Sequence, residues 1–264
     1  MKITTVMVCF NSEATIAKSI DSFLAQDHAD RELLVIDGAS RDRTCDIVRA
    51  YGSPLIRLVS ESDKGIYDAL NKGIAAASGE VIGVLHSNDL FAGPGVLSQI
   101  AQAFAQPELD AVYADVVFFK ADAPERTARH FRSDRFSPGT LGWGIMPAHT
   151  TLFLRRRVFD RFGQYKTDYK IAGDYEFIAR VFHKTGVVSR YIPAIWVRML
   201  AGGASTAGLR SKLLLNREVV RACRENGIST NYFKILSKYP AKLLENLQTG
   251  GPPGARSITR GQGK

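Results

Sequence analysis

Residues 3–40 read ITTVMVCFNSEATIAKSIDSFLAQDHADRELLVIDGAS, and the order of elements inside them decides the fold. Ile3–Phe10 is a continuous apolar, β-branched run, the pattern of a strand covered on both faces. Asn11 and Ser12 then offer side-chain oxygens as helix caps, and over roughly 13–27 Ile16, Ile20, Phe23 and Leu24 fall on one helical face. ELLVID, residues 32–37, returns to a strand. A strand, a helix and a strand in so short a span argue for a parallel pair with the helix packed across it.

The same rhythm continues outward. Ser40 is placed to cap a second helix with Ile47 and Val48 facing inward. IRLVSES (56–62) is a third strand, IYDALNKGIAAA (66–77) a helix ending near Gly79, and EVIGVLHS (80–87) a fourth strand. Pro94 opens a helix to about Gln106, and AVYADVVFF (111–119) is a fifth strand. Such alternation predicts an α/β fold, a mainly parallel Rossmann-like sheet flanked by helices. After Lys120 it breaks. Residues 121–147 are polar and form a hairpin or loop region; 150–163 read as strand then helix, and AGDYEFIARVFHKTG (172–186) as a capped helix. GGAST (202–206) has the composition of a flexible loop. Residues 208–226 form a basic helix with Leu213, Leu214, Val219, Val220 and Cys223 as its apolar stripe. The expected organisation is a domain over 1–205, itself split at 120, a basic helical extension over 206–248 and a disordered tail over 249–264.

The chain has 264 residues, 45% of them hydrophobic, enough for one sizeable core. Its three cysteines (Cys9, Cys45, Cys223) lie far apart without a CxxC spacing, which points to a reducing compartment and no disulfide framework. The N-terminus lacks the pattern of a signal peptide, and no apolar run reaches the roughly 18 residues that span a bilayer, so a cytoplasmic chain, or one peripheral to a membrane, is expected. From Gly208 onward Arg210, Lys212, Arg217, Arg221, Arg224, Lys234, Lys238, Lys242, Arg256, Arg260 and Lys264 face only Glu218, Glu225 and Glu245; eleven minus three is +8 of the formal +9. That bias suits an anionic surface, of lipid or of nucleic acid.

The acids mark the chemistry. Asp37, Asp63 and Asn88-Asp89 each follow a strand, and Asp174 lies in AGDYEF. In open α/β sheets ligands bind beyond the carboxyl ends of the strands. A glycine-rich dinucleotide loop and a GxxxxGK[ST] phosphate loop are both missing, since CFNSEATI follows the first strand. A carboxylate can approach a nucleoside diphosphate only through a divalent cation. Asp89 is the candidate ligand for that cation, with Asn88 beside it; a turn cap would explain the pair equally well. Asp37 is placed to cap its turn or to hydrogen-bond a base or ribose.

VCFNSEATIAKSIDSFLAQ, LLVIDGASRDRT, SESDKGIYDALNKGI and GEVIGVLHSNDLF together resemble the nucleotide-binding half of family 2 glycosyltransferases of GT-A fold, in the form found in bacterial enzymes of exopolysaccharide and colanic-acid assembly. The resemblance covers about residues 1–205. It implies that 1–120 bind the nucleotide and 121–205 the acceptor. Phe10 and Asn11 would line the base pocket, Asp37 and Asp63 would complete the nucleoside site, and Asn71 and Lys72 would lie near the diphosphate or sugar. Asn88 would contact the donor, Asp89 would hold Mn²⁺ or Mg²⁺, and Asp174 would be the catalytic base, with Glu176 the lesser candidate. His149 and Trp143 are candidates for the acceptor side, and Arg198 with the loop 202–205 resembles a segment over the donor phosphates. Two departures stand out. Ser87 and Asn88 replace earlier acids of the metal motif, and Leu70 stands where relatives place an arginine, leaving Lys64 or Lys72 to supply positive charge.

The implied activity is an inverting hexosyl transfer from a nucleotide-sugar, a UDP-sugar on family grounds, to a glycan or polyprenyl-diphosphate-linked acceptor in surface-polysaccharide assembly. Two other classes remain: a sugar-nucleotide nucleotidyltransferase, which would show a glycine-rich basic loop after the first strand, and a non-catalytic sugar or nucleic-acid binder, which would show basic and aromatic residues interleaved on one face.

Overall fold

The computed structural model describes residues 1–183, 186–202 and 208–237. The loop 203–205 and the expected tail 249–264 lie outside them. The chain opens with β1 (Ile3–Cys9), α1 (Ile16–Leu24), β2 (Arg31–Asp37), α2 (Thr44–Ala50), β3 (Ile56–Ser60), α3 (Ile66–Ala76) and β4 (Val81–Val84). There follow β5 (Asp89–Phe91), α4 (Val96–Ala103), β6 (Ala111–Lys120), β7 (Ala123–Phe131), β8 (Phe153–Arg155), α5 (Arg156–Phe162), α6 (Gly173–His183), β9 (Ser189–Leu200), α7 (Leu209–Glu225) and α8 (Tyr232–Leu236).

The strands make one sheet in the order β3-β2-β1-β4-β8-β6-β9-β5, with β7 paired to β6. β1, β2, β3 and β4 are parallel, and the register puts Cys9 beside Asp37 and Asp37 beside Ser60 at one edge. β8 is antiparallel to β4 and β6, and β5 is antiparallel to β9, so the sheet is mixed in its second half. Both faces are covered, as the unbroken apolar strands required. Val6, Val8, Leu34 and Ile36 face a cluster built with α3, α6 and α7. Met7, Leu33 and Val35 face the opposite cluster, built with α1 and α4.

Two expectations are corrected, and one element is added. Ser40 does not cap α2, which begins at Thr44; its amide and hydroxyl turn back onto Asp37. Leu213 is 60% exposed, because burial on α7 begins at Asn216, and Val219, Val220 and Cys223 beyond it join the core. β9 was not anticipated. Pro193 interrupts its pattern, and the β6–β9 register shifts between Tyr113 and Asp115 accommodate a residue that cannot donate to the ladder.

Candidate active site

Four loops converge where the parallel strands end. After β1, Asn11 adopts φ 48°, a left-handed turn that asparagine tolerates. Its side chain accepts from the Arg41 amide (2.9 Å), and its own amide donates to Ser40 Oγ (2.7 Å), so the β1 and β2 loops are tied together. The next amides are occupied as well: Ser12 donates to Thr44 Oγ1 (2.7 Å) and Glu13 to Asp42 Oδ2 (3.0 Å). Ser87 Oγ bonds Ser12 Oγ (2.9 Å) and draws the loop after β4 into the same group. Phe10 stands 60% exposed above them. Gly38 is needed beneath, since a Cβ there would fall 2.5 Å from the Asp63 carboxylate and 3.5 Å from the Phe10 ring. Phe10 and Asp63 therefore meet over one glycine.

Asp37 is fully buried and saturated with donors. The Ser40 amide (3.0 Å), Ser60 Oγ (2.7 Å) and Cys45 Sγ (3.2 Å) all reach Oδ2, and the Ser40 hydroxyl reaches Oδ1. Burial alone would push its carboxyl up; the Ser40 and Ser60 hydrogen bonds win and hold it below the ordinary carboxylate value. Asp63 is partly exposed and accepts the Gly65 amide at 2.8 Å.

Asp89 is the opposite case. It is fully buried, and neither carboxylate oxygen has a hydrogen-bond partner among the described residues. Burial pushes it up to about 8; the Leu200 main-chain amide, near the carboxylate but outside hydrogen-bond geometry, opposes this and is outweighed. An orphaned buried carboxylate is what a cation ligand looks like without its cation. Among the described residues no group of three or more acidic, histidine or cysteine side chains converges, so a cation here would take one protein carboxylate and complete its shell on substrate phosphates and water, a normal arrangement for Mg²⁺. Asn88 is partly exposed beside it.

A chain of half-buried and buried rings runs from this loop to Asp174. His86 and His149 lie 6.2 Å apart, His149 and Tyr165 5.6 Å, and Tyr165 and Tyr67 6.0 Å. His149 Nε2 pairs with Tyr165 Oη at 2.7 Å. Burial, with a smaller contribution from His86, pushes His149 down to about 3, which keeps it neutral. Tyr67, in the first turn of α3, donates to the Ile171 carbonyl (2.6 Å), and its hydroxyl lies close enough to the Asp174 carboxylate to favour its charged form. Gly173 makes room, since a Cβ there would meet the Tyr67 ring at 2.7 Å. In this way the start of α6 is brought to the sheet edge. The Asp174 carboxylate accepts the Tyr175 amide (2.7 Å), yet burial outweighs that bond and raises it to about 6. A carboxylate tuned there is suited to take a proton near neutral pH.

Other candidates have structural partners. Asn71 clamps the Tyr165 main chain, donating to its carbonyl (2.8 Å) and accepting from its amide (2.9 Å). Lys72 bonds the Ser62 carbonyl (2.8 Å) and pairs with Glu61 (2.9 Å). Leu70 is fully buried on the core face of α3, so it supplies packing there. Glu176 is fully buried and neutralised by Arg180 (3.0 Å) and Lys166 (3.1 Å), so it points away from Asp174's surroundings. Arg198 lies over the Phe119 ring at 5.4 Å and donates to the Pro124 carbonyl, bracing the β6–β7 hairpin. Trp143 is 43% exposed, with the Lys234 ammonium 5.5 Å from its ring. Tyr67 and Tyr165 were not singled out from sequence, and Ser12 and Ser87 were read only as a helix cap and as a departure from the metal motif; the position of Tyr67 in DKGIYDALNKG, at a helix start, hinted at a role.

A mixed sheet with acids at its parallel edge, and a further carboxylate delivered by a downstream helix, defines the GT-A class of glycosyltransferase fold. Solved structures agree. A mannosyltransferase from Pyrobaculum calidifontis in complex with GDP-Man and Mn²⁺ superposes with a TM-score of 0.65 at 20% identity, covering 96% of this chain and 76% of that one. S. aureus TarS 1-349 in complex with UDP-GlcNAc superposes at 0.63 and 16% identity over 84% of this chain and 66% of that one; this chain spans 39% of a longer TarS structure. The chain belongs to glycosyl transferase family 2, whose pattern matches residues 4–163. Among sequence relatives, a PGL/p-HBAD biosynthesis glycosyltransferase of Mycobacterium bovis is 28% identical over 72% of this chain and 73% of its own length. An uncharacterized glycosyltransferase of Mycobacterium tuberculosis is 31% identical over 67% and 68%.

Proposed function

We propose that this glycosyltransferase is an inverting enzyme that moves a hexose from a nucleoside diphosphate sugar, a UDP-sugar first among them, to a hydroxyl of a glycan or lipid-linked acceptor in surface-polysaccharide or glycolipid assembly. The observation that carries the reading is the pairing, at one sheet edge, of a buried orphaned carboxylate (Asp89) with a carboxyl raised to about 6 (Asp174). Phe10 would flank the base, and Asp37 and Asp63 would fix the nucleoside loop. Asp174 would take the proton of the acceptor hydroxyl as its oxygen bonds to the anomeric carbon and the bond from that carbon to the diphosphate breaks on the opposite face. A divalent cation on Asp89, when bound, would neutralise the departing diphosphate.

The nucleotidyltransferase alternative needs free loop amides to grip a triphosphate. The amides of Asn11, Ser12 and Glu13 are all occupied internally, and the Asp42 carboxylate sits among them. Turnover of UDP-sugars and of GDP-mannose with Mn²⁺, Mg²⁺ or EDTA, in wild type and Asp174→Asn, tests the reading. We expect metal-dependent release of nucleoside diphosphate that the substitution abolishes; turnover unchanged in Asp174→Asn would remove Asp174 as base.

No helix among the described residues is long and apolar enough to cross a membrane. Peripheral attachment to an anionic membrane is supported by Trp143, Tyr232, Phe233 (80% exposed) and Leu236, grouped around Lys234 on and beside α8. Sedimentation with vesicles containing anionic lipid should fall in Phe233→Ser; equal recovery of wild type with and without vesicles would end this part of the reading.

A further inference from the structure

α7 lies beyond the residues that match the family pattern, and its formal charge is mostly positive, yet one of its acids faces inward. Glu218 is 7% exposed, and its carboxylate accepts three successive main-chain amides: Lys170 at 2.9 Å, Ile171 at 2.9 Å and Ala172 at 2.8 Å. The next two residues are Gly173 and Asp174. Consecutive amides pointing one way, just before a helix, form a natural seat for an anion; here the anion is supplied by a different helix. On the other side of the same segment, α3 holds the Ile171 carbonyl through Tyr67 and the Tyr165 main chain through Asn71. Residues 165–172 are thus gripped between α3 and α7, and Asp174 is the first ionisable side chain past the grip.

We propose that Glu218 is a positioning residue for the general base, so that α7 is part of the catalytic apparatus rather than only a basic appendage. This rests on Asp174 being the base. Geometry carries the idea: without the Glu218 carboxylate, three buried amides lose their acceptor and the approach to α6 loses one of its two walls. The ionisable groups facing Asp174 are Tyr67 from α3, Tyr165 from the preceding loop and Glu218 from α7. Behind the dominant effect of burial, the Glu218 charge pushes the Asp174 carboxyl up, which gives the inference a signature that packing alone lacks.

The test is turnover of a nucleotide-sugar by the full chain between pH 4.5 and 8, with folding followed by thermal unfolding. Glu218→Gln places an amide donor against donors and removes the charge. It should lower kcat about tenfold or more with donor KM within about twofold, and move the acid limb of the pH profile downward by roughly half a unit. Glu218→Asp keeps the charge but shortens the reach, so kcat should fall several-fold with the limb in place. A folded Glu218→Gln with wild-type kcat and limb overturns the inference. Should Glu218→Gln fail to fold, Glu218→Asp decides: wild-type kcat overturns, reduced kcat with an unmoved limb supports. Asp174→Asn separates the two levels. If it is inactive while both Glu218 variants behave as wild type, only the positioning role falls; if it keeps turnover, the base assignment falls and the positioning role with it.

Discussion

Glu176 and Asp174 sit two residues apart on α6, and substituting Glu176 by glutamine shows whether burial has divided them into structure and chemistry. The Glu176 carboxylate is fully buried against Arg180, with Nε at 3.1 Å and an Nη at 3.0 Å, and against the Lys166 ammonium at 3.1 Å. Removing one partner of a buried ion pair costs about 3–5 kcal/mol, because the other charge is left buried without compensation. Two features place this case at the lower end. Arg180 keeps the carbonyls of Phe162 and Gln164, and Lys166, more exposed, keeps Glu225 at 2.9 Å. A loss of about 3 kcal/mol, at about 2–4 °C per kcal/mol for a domain of this size, lowers Tm by about 6–12 °C. Thermal unfolding by circular dichroism reads the first quantity, and nucleotide-sugar turnover at 20 °C, per folded molecule, reads the second. Turnover should stay within about twofold of wild type, since Glu176 meets no substrate-facing group. An unchanged Tm together with a loss of turnover of about a hundredfold or more would place Glu176 in the chemistry and refute the division.

Three further outcomes follow from the site and its frame. Phe10→Ala should weaken binding of UDP by about tenfold, a stacking loss of order 1–3 kcal/mol, with Tm unchanged because the ring is 60% exposed; calorimetric titration with equal affinities would remove Phe10 from the base pocket. Asp89→Asn should abolish the Tm increase that UDP with Mn²⁺ gives over UDP with EDTA in wild type; a retained increase would mean that the cation is held elsewhere. At Glu32, burial would raise the carboxyl, but the Thr4 hydroxyl, the Ser78 amide and hydroxyl and Lys2 hold it down to about 2, from an ordinary value of 4.5. A depressed folded pKa means stabilisation that is complete above the unfolded value and lost as pH falls through the folded one. The Tm advantage of wild type over Glu32→Gln should therefore be constant at pH 6–8 and close between about 4.5 and 2; an advantage that persists at pH 2 would show that the bonds, not the charge, carry it.

The parallel half of the fold was legible because its signals are local. Ile3–Cys9 and Arg31–Asp37 are unbroken apolar strands, and Ile16, Ile20 and Phe23 keep a helical period, so strand, helix and strand each declare themselves within a few residues. β9 was not, since its pairing depends on a register shift opposite Asp115 that lets Pro193 lie inside a sheet. The site divides in the same way. Asp37, Asp89 and Asp174 could be placed at the sheet edge because strand ends and a helix start are visible in sequence. What could not be read is which polar groups turn inward. Leu213 and Glu218 differ in the sense opposite to hydropathy, the leucine 60% exposed and the glutamate 7% exposed. The amides that draw Glu218 inward lie 46 to 48 residues away along the chain. Asn71 likewise finds its partner at Tyr165, a pairing that no local pattern announces.

Three aspartates at one sheet edge show why burial alone does not assign a role. Asp37 and Asp89 are both fully buried, yet one is held below the ordinary carboxylate value and the other is raised to about 8. The difference is donor supply: Asp37 meets two serine hydroxyls, two thiols and an amide, whereas Asp89 meets no hydrogen-bond partner among the described residues. A carboxylate with every lone pair occupied has no capacity left for a ligand and serves to fix its loop. One with none occupied is costly unless a cation or a proton arrives. Asp174 falls between them, with the Tyr175 amide and Tyr67 favouring its charge while burial and Glu218 oppose it. That balance leaves a group able both to hold and to release a proton near neutrality, whereas Asp37 stays charged there and Asp89, at about 8, holds a proton unless a cation takes its place. The three proton affinities thus separate according to how many donors each loop delivers, and the donors come from Ser40, Ser60, Tyr67 and the residues around them rather than from the aspartates themselves.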